Sequence, residues 1–282
     1  MFVKREMFEM RSVLITGASS GIGWAAAVRL KERGWRVMAT ARRKEDLQRL
    51  ERDGGVEAIE LDLSEPDSIA ACADIALRLT GGRVDALFNN GAYGQVGAVE
   101  DLTPDVLRRQ IEVNLIGAHD LTRRLIPSMR AHQSGRIVQC SSVLGLVSGP
   151  FRGAYCASKF ALEGLSDAMR LELAGSGIHV VLIEPGPIRT KFVETALKNF
   201  RVTVDIEGSA HRESYLARLK SMETGGKQTF KLEPEAVVQK LVHALESRRP
   251  KLRYYVTTPT YLAAGLKRVL PMRLLDLVVK RM

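Results

Sequence analysis

A chain of 282 residues, 45% of them hydrophobic and with a net charge of +10, suits one large α/β domain or two small ones and excludes a disordered polymer. No apolar run reaches the roughly 18 residues that span a bilayer, and the start, MFVKREMFEMR, breaks its apolar residues with charges, unlike a signal peptide. Residues 1–10 are expected to form a short tail, with Met7 or Met10 as alternative natural starts.

In chain order, "SVLIT" (Ser12–Thr16) reads as a buried strand, followed by the turn "TGASSGIG" (Thr16–Gly23) and a helix ending at Gly34. Glycines in such a turn let the backbone approach a pyrophosphate, and the helix N-terminus offers free N–H groups. The second strand, Arg36–Ala41, runs into Arg42, Arg43 and Lys44 with no acid at its tip. NAD sites place an acid there on the ribose 2′-hydroxyl, whereas an arginine accommodates a 2′-phosphate. Arg42 therefore favours NADP(H) over NAD(H).

Glu57–Leu63 is the third strand, a helix follows Pro66, and Asp85–Asn90 is the fourth strand. Thr103, Pro104 and Asp105 mark the start of a long helix. Arg136–Ser141 and His179–Pro185 complete six strands, with a helix carrying Tyr155 and Lys159 between them. Strands alternating with helices imply right-handed crossovers and a parallel sheet covered on both faces, one doubly wound α/β domain. Residues 190–232 break the rhythm: polar, without a strand pattern, and followed by a helix opening at Pro234. Placed after the sixth strand, they are expected to form a lid over the ligand crevice. Residues 258–282 form a basic, apolar tail, and from Arg248 onward nine basic residues face a single acid, Asp276.

Tyr155 and Lys159 are four apart, so a helix sets phenol and ammonium on one face. A free phenol titrates near 10, roughly three units too high for a base at neutral pH, and a nearby cation is expected to bring it down. Cys72, Cys140 and Cys156 have neither disulfide nor metal spacing, which favours a reducing cytoplasm. The five histidines are scattered, so no metal site is assigned.

Taken together, TGASSGIG, Asp62 in "LDL", "NNGA" (Asn89–Ala92), Asn114, Ser142, "YCASK" and "PGPIRT" (Pro185–Thr190) resemble the short-chain dehydrogenase/reductase family from about Arg11 to Val256. The hydroxysteroid- and retinol-dehydrogenase-like branch is the nearest in character. The resemblance implies a Rossmann fold over residues 11–257 and catalysis by Asn114, Ser142, Tyr155 and Lys159. Tyr155 would donate or accept the proton and Ser142 would bond the reacting oxygen. Lys159 would hold the nicotinamide ribose and lower the Tyr155 pKa, and Asn114 would anchor a water. It also implies a cofactor cradle of Gly17, Ser19, Ser20, Gly21, Ile22 and Gly23, then Arg42, Arg43, Asp62, Leu63, Asn90 and Gly91. Tyr155, Lys159, Pro185, Gly186, Ile188 and Thr190 would complete it. The family has Asn-Asn-Ala-Gly where this chain has Asn89-Asn90-Gly91-Ala92. That swap moves the position free to adopt positive φ, so a local backbone adjustment is expected, with cofactor affinity the property in question.

Tyr93, Val143, Leu144, Leu146, Phe151, Phe192 and Val193 are expected to line the substrate cleft, and their apolar character suits a lipophilic ligand. Ser142 and Tyr155 would touch its reacting group. A homodimer or homotetramer is expected. The competing class is a non-catalytic NADP(H)-binding regulator or scaffold. Nucleic-acid binding is disfavoured because the excess charge is confined to the tail, without a reading motif. That tail is expected to pack over the cleft or against another subunit in preference to an anionic membrane surface.

Overall fold

The computed structural model describes residues 10–223 and 229–280. Residues 1–9 of the expected N-terminal tail, 224–228 of the expected lid, and 281–282 lie outside the described residues.

Seven strands form one sheet: β1 (Ser12–Ile15), β2 (Arg36–Ala41), β3 (Glu57–Glu60), β4 (Ala86–Asn89), β5 (Gly135–Cys140), β6 (Ile178–Glu184) and β7 (Arg253–Tyr255). Their order is β3-β2-β1-β4-β5-β6-β7, and every neighbouring pair is parallel. Helices α1 (Gly21–Glu32), α2 (Lys44–Arg52), α3 (Pro66–Leu79), α4 (Pro104–Ile111), α5 (Gly117–Ala131) and α6 (Gly153–Glu172) make the crossovers between the first six strands. The side-chain period of two splits each strand between two cores. Val13 and Ile15 face α1 and the later helix α9 (Glu235–Glu246), beside Ala26, Leu30 and Leu241. Leu14 points the other way, toward α3 and α5 through Cys72, Leu121 and Leu125. Strand order reverses between β1 and β4, so the ligand crevice opens beyond their carboxyl ends.

The structure departs from the sequence expectations in four places. The short seventh strand went unrecognised, because three residues carry no periodic signal. Strands β1, β3 and β4 stop before Thr16, Leu61 and Asn90. The long helix after Thr103 begins as expected, with Thr103 Oγ1 accepting from the Val106 N–H at 3.4 Å. It is then interrupted by one π-helical turn, Glu112–Ile116, before continuing as α5. The described part of the segment 190–232 holds two helices, α7 (Phe192–Thr203) and α8 (Arg212–Glu223), around a small core of Val96, Ala98, Ala196, Phe200, Val204 and Tyr215.

The C-terminal helices α10 (Thr258–Val269) and α11 (Met272–Val279) turn one face inward, where Ala263 and Leu275 meet Val147 and Val143. The tail thus covers the segment following Ser142. Among the described residues no helix is long and apolar enough to cross a membrane. All three cysteines are free and buried, and no cluster of His, Cys, Asp or Glu among the described residues is arranged to hold a metal.

Candidate active site

The glycine turn closes on β4. Asn90 Nδ2 donates to the carbonyls of Thr16 (3.0 Å) and Gly17 (3.1 Å), and the N–H groups of Asn90 and Gly91 donate to Thr16 Oγ1 at 2.9 and 2.7 Å. Gly17 and Gly21 take left-handed φ of 64° and 57°. A Cβ on Gly17 would lie 2.6 Å from the Gly91 Cα, and one on Gly21 2.9 Å from Thr190 Cγ2. Turn, Asn90–Gly91 and Thr190 therefore converge. Ser20 caps α1 without a side-chain bond, and the first turn holds no acid. Its N–H donors remain available to an anion. Neither Gly91 nor Ala92 has a positive φ, which corrects the expectation drawn from the Asn-Asn-Gly-Ala order. The left-handed residues of this cradle are Gly17 and Gly21, so neither member of the swapped pair needs a positive φ here.

The cradle fits a dinucleotide. Arg42 is exposed and reaches Asp62 only at 4.0 Å, so its guanidinium is at hand for an anion. Arg43 is instead committed to Asp46 (2.8 Å). Asp62 accepts from the N–H and hydroxyl of Ser64 at 2.9 and 2.7 Å, and these bonds with Arg42 hold its carboxyl below the usual range against the opposing pull of burial. Leu63 is buried beside Gly117, where a Cβ would collide with the Leu63 carbonyl at 2.0 Å. Gly186 fits just as tightly against Thr257, the Val143 N–H donates to the Pro185 carbonyl, and Ile188 pairs with Leu232. One contact was missed by sequence reasoning: Arg49 on α2 donates to the Ser19 carbonyl and stacks over Trp24.

Across the crevice, β5 delivers Ser142 and α6 delivers Tyr155 and Lys159, all three buried. Ser142 is the side chain across from the Tyr155 phenol that draws its pKa down. Ser142 Oγ accepts from the Leu144 N–H at 3.1 Å. Lys159 Nζ donates to the Cys140 carbonyl at 2.7 Å and lies 5.7 Å from the Tyr155 ring centre. The expected lowering of the Tyr155 pKa is not what this arrangement produces. Burial dominates and pushes the phenol up, with Ser142 and Arg152 pulling it only partly back. Lys159 is itself pushed down by burial, and its donor serves a backbone carbonyl. Tyr155 is therefore held as the neutral phenol.

Asn114 sits in the π turn, a feature that recurs at functional sites because it redirects one side chain. Its Oδ1 accepts from the Tyr93 N–H (3.1 Å), and its Nδ2 donates to the Tyr93 carbonyl (2.9 Å) and to Ser158 Oγ (3.2 Å). The amide cross-links the Tyr93 loop to α6, one turn from Tyr155.

Of the expected cleft residues, Phe192 stands edge-on to the Tyr155 ring with ring centres 5.5 Å apart. Phe151 is turned into the core of the α7–α8 insertion, against Tyr215 (5.4 Å) and His211 (5.3 Å), with a left-handed φ of 62°. Leu146 lines a cavity against α10, and Val143 packs on the tail. These two face the tail, because the short 3-10 turn after Ser142 directs them there.

The family model for short chain dehydrogenase matches residues 11–200. The uncharacterized oxidoreductase YbbO of Escherichia coli is 43% identical over 96% of this chain and 94% of its own length. Human 17-beta-hydroxysteroid dehydrogenase type 1 is 37% identical over 87% of this chain and 77% of its own. Among solved structures, a short-chain dehydrogenase from Streptomyces avermitilis superposes with a TM-score of 0.77 at 31% identity, covering 96% of this chain and 94% of its own.

Proposed function

The chain belongs to the short-chain dehydrogenase/reductase family, and we propose that it interconverts an alcohol and a carbonyl on a lipophilic small molecule with NADP(H). Family membership makes it an oxidoreductase with a nucleotide-binding Rossmann fold. The observation that carries the finer reading is the buried set of Ser142, Tyr155 and Lys159 at the crevice, with Lys159 fixed on the Cys140 carbonyl.

NADP(H) supplies the hydride when bound. The α1 N-terminus and the Gly17–Gly23 turn would hold its pyrophosphate, Arg42 its 2′-phosphate, and Asp62 and Asn90 its adenosine half. Tyr155, Lys159 and Thr190 would hold the nicotinamide half. The protein's remaining task is to move one proton and to stabilise charge on the reacting oxygen. A phenol kept neutral by burial suits donation to a carbonyl oxygen. Because Ser142 Oγ accepts from Leu144, its own hydrogen is left to donate to that oxygen. Phe192, Tyr93 and Leu144 give the approach an apolar wall. Phe192 opens α7 against the Tyr155 ring, which supports reading the insertion that begins at residue 190 as a lid over the phenol. The enzyme is taken to work in the cytoplasm as a homodimer or homotetramer. No feature of the site favours a non-catalytic role.

The test is turnover by the purified protein on a panel of apolar aldehydes, ketones and alcohols with each cofactor. NADPH-dependent reduction is expected. Tyr155→Phe should lower kcat by roughly 10²–10⁴-fold, the range for losing a positioned acid, with NADPH affinity kept within a few-fold. Near-normal kcat in that variant would sink the mechanism.

A further inference from the structure

On β7, Arg253 meets three carboxylates. Its Nη1 donates to Glu163 on α6 and to Glu184 on β6 (2.9 Å), and its Nη2 donates to Asp167 at 2.6 Å. Glu184 has no exposed surface, Glu163 is nearly as buried, and Glu184 Oε2 lacks a hydrogen-bond partner among the described residues.

This cluster lies directly behind the catalytic residues. The carbonyls of Ile183 and Pro185, on either side of Glu184, accept from the N–H groups of Ser141 and Val143, both at 2.8 Å. Glu184 therefore stands level with Ser142. Glu163 follows Lys159 by one helical turn on the same buried face of α6. A Cβ on Gly145 would touch both Ser141 Oγ (2.7 Å) and Glu163 Oε1 (3.2 Å), so serine loop and carboxylate are in near contact. A cavity of about 440 Å³ beside α10, walled by Glu163, Asp167, Arg253, Phe160, Lys267 and Arg268, gives the cluster a route to water.

Lys159 needs this neighbour. Burial disfavours its ammonium, and its hydrogen-bond acceptor, the Cys140 carbonyl, is uncharged. The Cys140 thiol is pushed up by burial and stays neutral near pH 7. Glu163, one helical turn on along the same buried face, makes no direct ion pair with Lys159, but its charge favours the ammonium.

We propose that Glu163 is a positioning residue of the reaction: oriented by Arg253, its carboxylate is the counter-ion that keeps Lys159 charged and in place. This rests on the role given to Lys159 above. The groups that face Glu163 are Lys159 and Asp167 from α6, Ser141 from the end of β5, and Glu184 from β6. Arg253 faces it from β7, and Lys267 and Arg268 across the cavity from α10. Burial and the Glu163 charge push the Glu184 carboxyl up to about 8. Near neutral pH Glu184 therefore holds a proton; burial pushes Glu163 up too, and Ser141 and Arg253 oppose that rise and favour its ionised form.

The experiment is a pH titration of Lys159 by NMR in the full-length, ¹³C-lysine-labelled protein, assigned with Lys159→Arg. Removing a neighbouring negative charge leaves burial unopposed, so Glu163→Gln should lower the Lys159 midpoint by about one unit. The alkaline limb of kcat should move down with it. Glu163→Asp keeps the charge but withdraws it, and should shift the midpoint by less. Should the Gln variant fail to fold, the Asp variant carries the same test. A folded variant whose Lys159 midpoint stays at the wild-type value overturns the proposal. The titration needs no substrate, so absence of turnover in the wild type would count against the enzymatic reading alone.

Discussion

The two ends of the sheet assemble their parts of the site differently. In the β1–β4 half, Gly17, Gly21 and Gly23 share one turn, and a single threonine, Thr16, anchors Asn90 and Gly91. In the β5–β7 half, supports arrive from far along the chain. Arg253 reaches Glu163 across 90 positions, and Tyr215 reaches Asp101 across 114. The first half leaves no room for a Cβ where Gly17 meets Gly91 and Gly23 meets Gly17, and the Thr16 and Asn90 side chains bond directly to that backbone. The second is held by side-chain bonds, so it can be loosened without unfolding the sheet.

The largest effect should come from putting a methyl group into the first half. A Cβ on Gly23 would lie 2.4 Å from the Gly17 carbonyl oxygen and 2.9 Å from the Ala18 Cα, both backbone. The turn must shift, and displacements near 1 Å at such a site cost about 10²-fold. Gly23→Ala should weaken NADPH binding by that order, read by fluorescence titration. The same substitution at Gly164, inside α6 with open space around its Cβ, should raise the melting temperature by a few degrees through helix propensity of about 1 kcal/mol. If the two variants behave alike, local crowding is not what fixes the cradle.

This contrast also explains what was legible in the sequence. The turn, Asn90, Ser142, Tyr155 and Lys159 announce themselves because each sits in a short motif of residues adjacent in sequence, even where, as for Asn90 and Thr16, the partner lies far along the chain. The six longer strands show through their apolar runs. Arg253 offered no such signal: it lies in a basic stretch where it reads as surface charge, and only the fold brings Glu163 and Glu184 to it. The Tyr155 pKa was misjudged for a related reason. The i,i+4 spacing places a cation near the phenol, but burial, which no spacing encodes, outweighs it. Likewise Phe151 reads as a cleft wall, yet the insertion's own core claims it.

A smaller and more selective effect is expected at Arg42. It stands at the tip of β2 with Asp62 4.0 Å away as its ion-pair partner, so its removal leaves no buried charge stranded. Arg42→Ala should weaken NADPH by about 10- to 100-fold, the worth of one charge-assisted contact of about 1.5–3 kcal/mol, while NADH changes less than about 3-fold. Dissociation constants for both cofactors decide it, and equal losses would remove Arg42 from the 2′-phosphate site.

The mildest prediction concerns the second half, and it separates the insertion from the sheet. Tyr215 is buried between α8 and the loop after β4, where its hydroxyl donates to Asp101 and accepts from the Ala98 N–H at 2.7 Å. Ser209 adds a bond to the same carboxylate at 2.6 Å, and these bonds hold Asp101 below the usual carboxylate range. Tyr215→Phe keeps the ring among Phe200 and Phe151 but leaves the Ala98 N–H without its acceptor, a loss of about 1–3 kcal/mol. Since the bond ties the insertion to the body and makes no part of the sheet, the loss should appear as local opening. Amides of α7 and α8 should exchange about 5- to 100-fold faster, with β1 and β4 unchanged. The substrate KM should rise several-fold while NADPH affinity holds, because Phe192 would spend less time seated over Tyr155. Uniformly faster exchange through β1 and β4 would show that the insertion and the sheet open as one unit, and the lid reading of residues 190–232 would fall with it.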